Sequence, residues 1–321
     1  MSASILVPHE LQHNPLCAVA YRVQGLSSKT LEAKFVDGKE GPTALPKDLQ
    51  RQYEEGGFAR ISSCSRPVVL VTADGKFIGL RIPATKERLN ALTSLEKYMP
   101  SLPPPETGRS SDRTRGPVWY MTVWSAFSKG LEPGYSADYY RHPAVGKRLV
   151  GLTGRIWQDA SRLLKSAAPS YFRALGRCTL TSSLKRRAGI WMGFVLNKGT
   201  KEMPVRTIVH RDFKSLRKGV SCLIPFGEYK GGGLILWDAK TVVELEVGDL
   251  FFFPDHFLLH SNEAVEGVRH SMVAFSHQNV FDYFSPRQKE KAKEQKRLSK
   301  IEKRYYQKRE KLREKRDRRS E

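Results

Sequence analysis

The stretch that decides the fold runs from 206 to 276: RTIVHRDFKSLRKGVSCLIPFGEYKGGGLILWDAKTVVELEVGDLFFFPDHFLLHSNEAVEGVRHSMVAFS. Short apolar, β-prone runs (RTIVH, VSCLIPF, GLILW, VVELEV, LFFFP, SMVAFS) follow one another, separated by glycine turns and polar residues. With GIWMGFVL just upstream, at least seven short strands fall beyond Cys178, the signature of an all-β barrel or sandwich.

Within this stretch, His210 and Asp212 close the run RTIVH. Side chains at i and i+2 of a strand point the same way, so an imidazole and a carboxylate face one interior. His-Arg-Asp also opens the catalytic loop of protein kinases, but Arg217 stands where that loop needs an asparagine, and neither a DFG nor a glycine-rich loop accompanies it. The kinase reading is rejected. Downstream come the Gly231-Gly232-Gly233 turn, the Gly248-Asp249 turn, His260, and then Arg269 with Ser271 two residues on. Two histidines and one carboxylate on one face of a metal leave open positions, the ligand set of non-haem iron oxygenases. Imidazole and carboxylate suit Fe(II), and the open positions take a bidentate 2-oxo acid. The far carboxylate of 2-oxoglutarate then needs a buried partner. The guanidinium fork of Arg269 supplies one bidentately, with Ser271 adding a hydrogen bond from the same side. His256 is the rival third ligand, disfavoured because it follows Pro254-Asp255 too closely to sit on a settled strand. His270 should face away from Arg269 and Ser271, and His277 reads as structural.

The run from Val209 to Ser276, with HRD, PFGEYKGGGLILWD, GDLFFFPDHFLLHSN and GVRHSMVAFS, resembles the 2-oxoglutarate oxygenases. Within them it most resembles the TET/JBP-like oxygenases of fungi, many linked to mobile elements. The upstream PVVLVTADGKFIGL and GFVLNKG extend the likeness to about residues 66–284. The resemblance implies an α+β fold: a double-stranded β-helix (jelly-roll) core with helices packed outside. It implies Fe(II) on His210, Asp212 and His260 as the catalytic metal ligands, and 2-oxoglutarate at Arg269. Asn197 has two readings, a hydrogen bond to cosubstrate or substrate, or a strand-end turn residue. Relatives of this type oxidise the methyl group of 5-methylcytosine or thymine, and the cysteine-rich region of animal members is not found here. The expected activity is thus a dioxygenase acting on nucleic-acid bases, DNA before RNA. Two alternatives are a protein or small-molecule hydroxylase of the same fold, and a non-catalytic basic nucleic-acid-binding protein.

Outward from this core, residues 66–83 read as a hairpin turning at Asp74-Gly75. Residues 101–117, rich in Pro, Gly, Ser and Arg, read as a linker. A helical region spans about 137–175, with Leu149, Leu152, Ile156 and Leu163 as its core stripe. Residues 1–65 read as an extension without assigned role. The 321-residue chain carries a net charge of +22, which predicts attraction to a polyanion. Residues 285–321, with 17 basic and 7 acidic positions from Arg287 on, read as a charged helical tail for nucleic-acid contact, nuclear import or solvation. Four scattered cysteines without a CxxC pair argue against a zinc site or disulfide framework and favour a reducing compartment. No signal peptide or membrane-spanning run is apparent, so an intracellular protein is expected, and the tail and substrate point to the nucleus.

Overall fold

The computed structural model describes residues 19–33, 45–106, 116–125, 132–202, 205, 207–285, 290, 300–302 and 305–306. The linker's centre and most of the basic tail lie outside the described residues. Among the described residues the strands are β1 (Val19–Arg22), β2 (Ala59–Ile61), β3 (Val68–Val71), β4 (Phe77–Ile82), β5 (Val118–Trp124), β6 (Gly134–Tyr135), β7 (Gly193–Asn197), β8 (Ser221–Gly231), β9 (Leu234–Leu236), β10 (Thr241–Val243), β11 (Leu250–Phe253), β12 (His260–Asn262) and β13 (Val265–Phe275). They form a nine-stranded sheet in the order β1-β3-β4-β11-β8-β13-β7-β5-β6 and a four-stranded sheet in the order β12-β9-β10-β2. From β8 onward the chain passes back and forth between the two sheets. This winding is the double-stranded β-helix expected, with helices outside it.

Period-two alternation sorts side chains between the two faces of the large sheet. In β11, Leu250 and Phe252 join a cluster with Leu149, Ile156, Trp157 and Leu164 of the helix Pro143–Ala167. Phe251 and Phe253 point the other way, into a cluster with Leu234 and Leu236 of the small sheet. The LFFFP run is continuously apolar because both its faces are covered. Pro143 opens the long helix, where a missing N–H costs nothing. Its buried residues, among them Leu149, Thr153, Ile156, Ala160, Leu164 and Ala167, recur at three and four, the pattern of a helix seated on a core. Leu152 and Leu163 of the expected stripe are only partly buried. The helical region divides into Ala137–Arg141, Pro143–Ala167 and Pro169–Gly176.

The hairpin forms as read, β3 on β4 antiparallel, with Gly75 at φ +87° in its turn. Residues 1–65 differ from expectation. Within them, β1 pairs with β3 and β2 pairs with β10, both parallel, so the described parts are built into both sheets. Strands of four and three residues carry too little periodicity to be seen without their partners. Two further runs are shorter than read. Of VVELEV only Val242 and Val243 lie in a strand, β10, and the described residues of RTIVH form no strand but are held by bridges, His210 to His260 among them. There, Asn262 N–H donates to Thr207 O and His210 pairs with His260. Three steps on one strand thus face two on the other, and the extra residue interrupts the ladder as a bulge does.

Candidate metal centre

The His210–His260 bridge is reciprocal: His210 N–H donates to His260 O at 3.0 Å, and His260 N–H to His210 O at 2.9 Å. Directly opposed residues of an antiparallel pair project to the same face, which brings the two imidazoles to a centroid separation of 4.2 Å. Each Nδ1 lies 2.8 Å from a carbonyl two residues back, Ile208 O and Leu258 O respectively. A carbonyl only accepts, so both Nδ1 atoms carry hydrogen, and in the neutral form of the rings both Nε2 atoms present lone pairs. These reach Asp212 Oδ2 at 3.7 Å from His210 and 3.8 Å from His260. One ligating atom from each of the three residues fits within 4.8 Å of the others.

Asp212 is fixed by its backbone, its N–H donating to Asp255 O at 3.1 Å and its carbonyl accepting from Ser215 N–H at 2.8 Å. Between His210 and Asp212, Arg211 turns the opposite way. It forks onto Asp238 at 2.7 and 3.2 Å, and Asp238 also accepts from Leu259 N–H at 2.7 Å. One buried ion pair therefore ties the segment bearing His210 to the one bearing His260. Phe253 forms the wall beneath, its ring edge-on to His260 at 5.1 Å.

His256 stands outside this trio. Its ring lies 3.7 Å from that of Phe257, and burial, with Arg217 and Lys76 adding to it, pushes its pKa down to about 3. Behind it, Asp255 is fully buried and accepts from Ser215 Oγ at 2.8 Å and Ser221 Oγ at 2.6 Å. Burial first, then the charge of Asp212, raise its pKa.

Arg269 and Ser271 share the inner face of β13. Ser271 lies opposite Asn197 of β7, whose Nδ2 donates to Ser271 Oγ at 3.0 Å. Arg269 is 1% exposed. Its Nη1 donates to Val205 O at 3.3 Å, and the Tyr229 ring lies 5.6 Å from its Cζ. Its Nε and Nη2 are buried with no well-formed hydrogen bond among the described residues, the Tyr229 hydroxyl being the nearby polar group that favours its charge. Burial lowers the proton affinity of this guanidinium, and raises that of the Tyr229 phenol to about 12. Gly232, at φ +71°, lets the turn after β8 close on the arginine, since a Cβ there would stand 3.2 Å from Arg269 Cδ. His270 faces outward as read. Its Nδ1 accepts from Gly199 N–H at 3.0 Å, Glu96 lies 3.9 Å from its Nε2, and burial pushes its pKa down to about 4.

The donor set fits the group implied. Two imidazole nitrogens and a carboxylate suit Fe(II), and the two unsatisfied donors of Arg269 match the fork that a carboxylate accepts. Sequence reading missed the Arg211–Asp238 pair and the setting of His277. The His277 ring stacks on Trp124 at 5.7 Å and 24°, and burial pushes its pKa down to about 4, with Lys214 adding and Asp212 opposing. Both sets join residues far apart in the chain, and no local motif marks them.

No protein-family model matches the chain. Over 119 residues it is 31% identical to the bifunctional helicase and thymine dioxygenase JBP2 of Trypanosoma brucei brucei. That match covers 37% of this chain and 10% of the relative, so the chain spans about a tenth of the curated relative's length. Among solved structures, NgTET1 in complex with 5mC DNA superposes with a TM-score of 0.53 at 18% identity, covering 80% of this chain and 93% of that one. The fold is shared with that structure.

Proposed function

We propose that this chain is an Fe(II)- and 2-oxoglutarate-dependent dioxygenase that oxidises methyl groups on nucleic-acid bases, with 5-methylcytosine or thymine in DNA as first candidates. One observation carries the reading. The sandwich that gathers two imidazole lone pairs and a carboxylate also buries a guanidinium with two unsatisfied donors. Iron, when bound, would with 2-oxoglutarate and dioxygen supply an oxidant for a substrate C–H bond, leaving succinate and carbon dioxide. His210 Nε2, His260 Nε2 and Asp212 hold the metal, and Arg269 pairs with the far carboxylate of the cosubstrate. Ser271 and Asn197 orient the polar wall beside it, and the apolar interior limits water.

Three features support a nucleic-acid base as substrate. The net charge of +22 attracts a polyanion. The half-buried indole of Trp124, stacked on His277, places an aromatic ring beside the segment that carries Asp212. The relative JBP2 is described as a thymine dioxygenase, and NgTET1 was solved with 5mC DNA. A base in a duplex must leave the stack to reach a site this enclosed. The basic tail and a DNA substrate support a nuclear setting.

The test is succinate formation by iron-loaded protein with 2-oxoglutarate, with and without 5-methylcytosine DNA, followed by mass spectrometry of the nucleosides. Succinate with oxygen added to the base methyl group is expected. Succinate with every base unmodified moves the substrate to RNA, protein or a small molecule. No succinate from iron-bound protein overturns the enzyme.

A further inference from the structure

Directly after Asp212 the chain reads FKSLRKG, with three cations in five residues and no acid. Lys214, Arg217 and Lys218 are all exposed. Their backbone, in contrast, is firmly held. Ser215 N–H donates to Asp212 O at 2.8 Å, Leu216 N–H to Ser276 O at 2.7 Å, and Gln278 N–H to Lys214 O at 2.8 Å. Arg217 N–H donates to the side chain of Gln278 at 3.0 Å, and Ser215 Oγ to Asp255 at 2.8 Å. Leu216 anchors the middle of the loop in the core. The result is a rigid platform with a charged outer surface, pinned between the end of β13 and the β11–β12 connection. On the latter side, Lys76, from the β3–β4 hairpin turn, sits with its Nζ 5.9 Å over the Phe257 ring, next to His256. Positive charge reaches the neighbourhood of Asp212 from both sides: Arg217 and Lys76 depress the proton affinity of His256, and Lys214 that of His277.

We propose that Lys214, Arg217 and Lys218, with Lys76 on the hairpin side, form a rim that binds the backbone phosphates flanking the base presented to the metal centre. The inference rests on the nucleic-acid reading above. Contacts to phosphate position a nucleic acid without reading its sequence, and a pre-ordered platform loses little backbone entropy on binding. The rim therefore sets register, leaving choice of base to the interior.

The experiment measures binding of the full-length, metal-loaded protein to a fluorescent duplex carrying one 5-methylcytosine, by anisotropy, across a salt series. The variants are Lys214→Glu/Arg217→Glu/Lys218→Glu and the milder Lys214→Gln/Arg217→Gln/Lys218→Gln. Lys147→Glu/Arg155→Glu, on exposed positions of the helix Pro143–Ala167 behind the large sheet, is the control. Each phosphate contact contributes about 0.9 to the slope of log affinity against log salt, so the slope of either rim variant should fall by about 2 to 3. Affinity near 0.1 M salt should fall on the order of 10- to 100-fold, and the control should keep the wild-type slope. A slope unchanged by the rim variants, or lowered equally by the control, overturns the rim. No duplex binding by the wild type overturns the rim together with the substrate reading. Rim-dependent binding without base oxidation keeps the rim and overturns only the chemistry assigned to the site.

Discussion

Arg81 and Arg269 are each 1% exposed in the same sandwich, and they differ in what they meet. Arg81, on β4, places Nε and Nη2 on Asp249 at 2.8 and 2.7 Å and Nη1 on Cys64 O at 2.9 Å. Asp249 in turn accepts from Ala84 and Glu246 N–H. Every donor group of that guanidinium has an acceptor in the chain. Arg269, on β13, has one carbonyl at 3.3 Å, and its Nε and Nη2 have none among the described residues. A buried donor without an acceptor costs free energy, more so when charged, so it persists where something else compensates for it. Under the proposed function, the difference separates a cation that holds the fold from one that receives a ligand.

The comparison can be broken in order of effect. Asp212→Ala removes the one anionic ligand of the trio, and succinate release should fall to background by a coupled assay. Substantial turnover in that variant would mean the trio is not the centre. Next, Asp249→Ala should leave Arg81 uncompensated and lower unfolding free energy by about 3–5 kcal/mol in urea titrations. Arg269→Met should reverse the pattern. The unliganded protein should keep its stability to within about 1 kcal/mol, while affinity for 2-oxoglutarate falls by about 2–5 kcal/mol. If the two arginines gave the same pair of results, the distinction between them would be lost. Ser271→Ala, which leaves the Asn197 amide short of an acceptor, should cost about 1–3 kcal/mol of stability, measured by the same titration.

The smallest effect comes from the outer face of β13. His270 is held neutral by burial, with its pKa near 4 against 6.5 in the unfolded chain. Between those values the unfolded chain binds the proton and the folded one does not, so stability is lost as pH falls through the window. From pH 7 to 5 the loss from this group should be on the order of 1–2 kcal/mol. His270→Gln should flatten the pH dependence of the denaturation midpoint while 2-oxoglutarate binding is kept. A variant equally sensitive to pH would show that His270 is not the group titrating.

The sequence made part of this difference legible. Period-two spacing put Arg269 and Ser271 on one face and His270 on the other, and His210 and Asp212 on a shared side. The strand runs around LFFFP and SMVAFS were visible because each is long or apolar enough to show its own pattern. β1 and β2 were not, since strands of four and three residues are defined by the partners they join 49 and 182 positions away. The same holds for Arg81 with Asp249 and Arg211 with Asp238. A lone arginine in a sequence reads the same whether its acceptor lies in the chain or in a ligand. Asn197 shows the limit in reverse: its bond to Ser271 depends on the register of β7 on β13, which no local pattern reveals.

The most direct measurement is anaerobic calorimetric titration of 2-oxoglutarate into iron-loaded wild-type protein and the Arg269→Met variant, with their urea stabilities taken in parallel. The expected result is one 2-oxoglutarate bound per chain by the wild type, binding weakened by at least about 30-fold in the variant, and equal unliganded stabilities. Equal affinity in the two proteins, or a variant that fails to fold while Arg81→Met folds normally, would contradict the account.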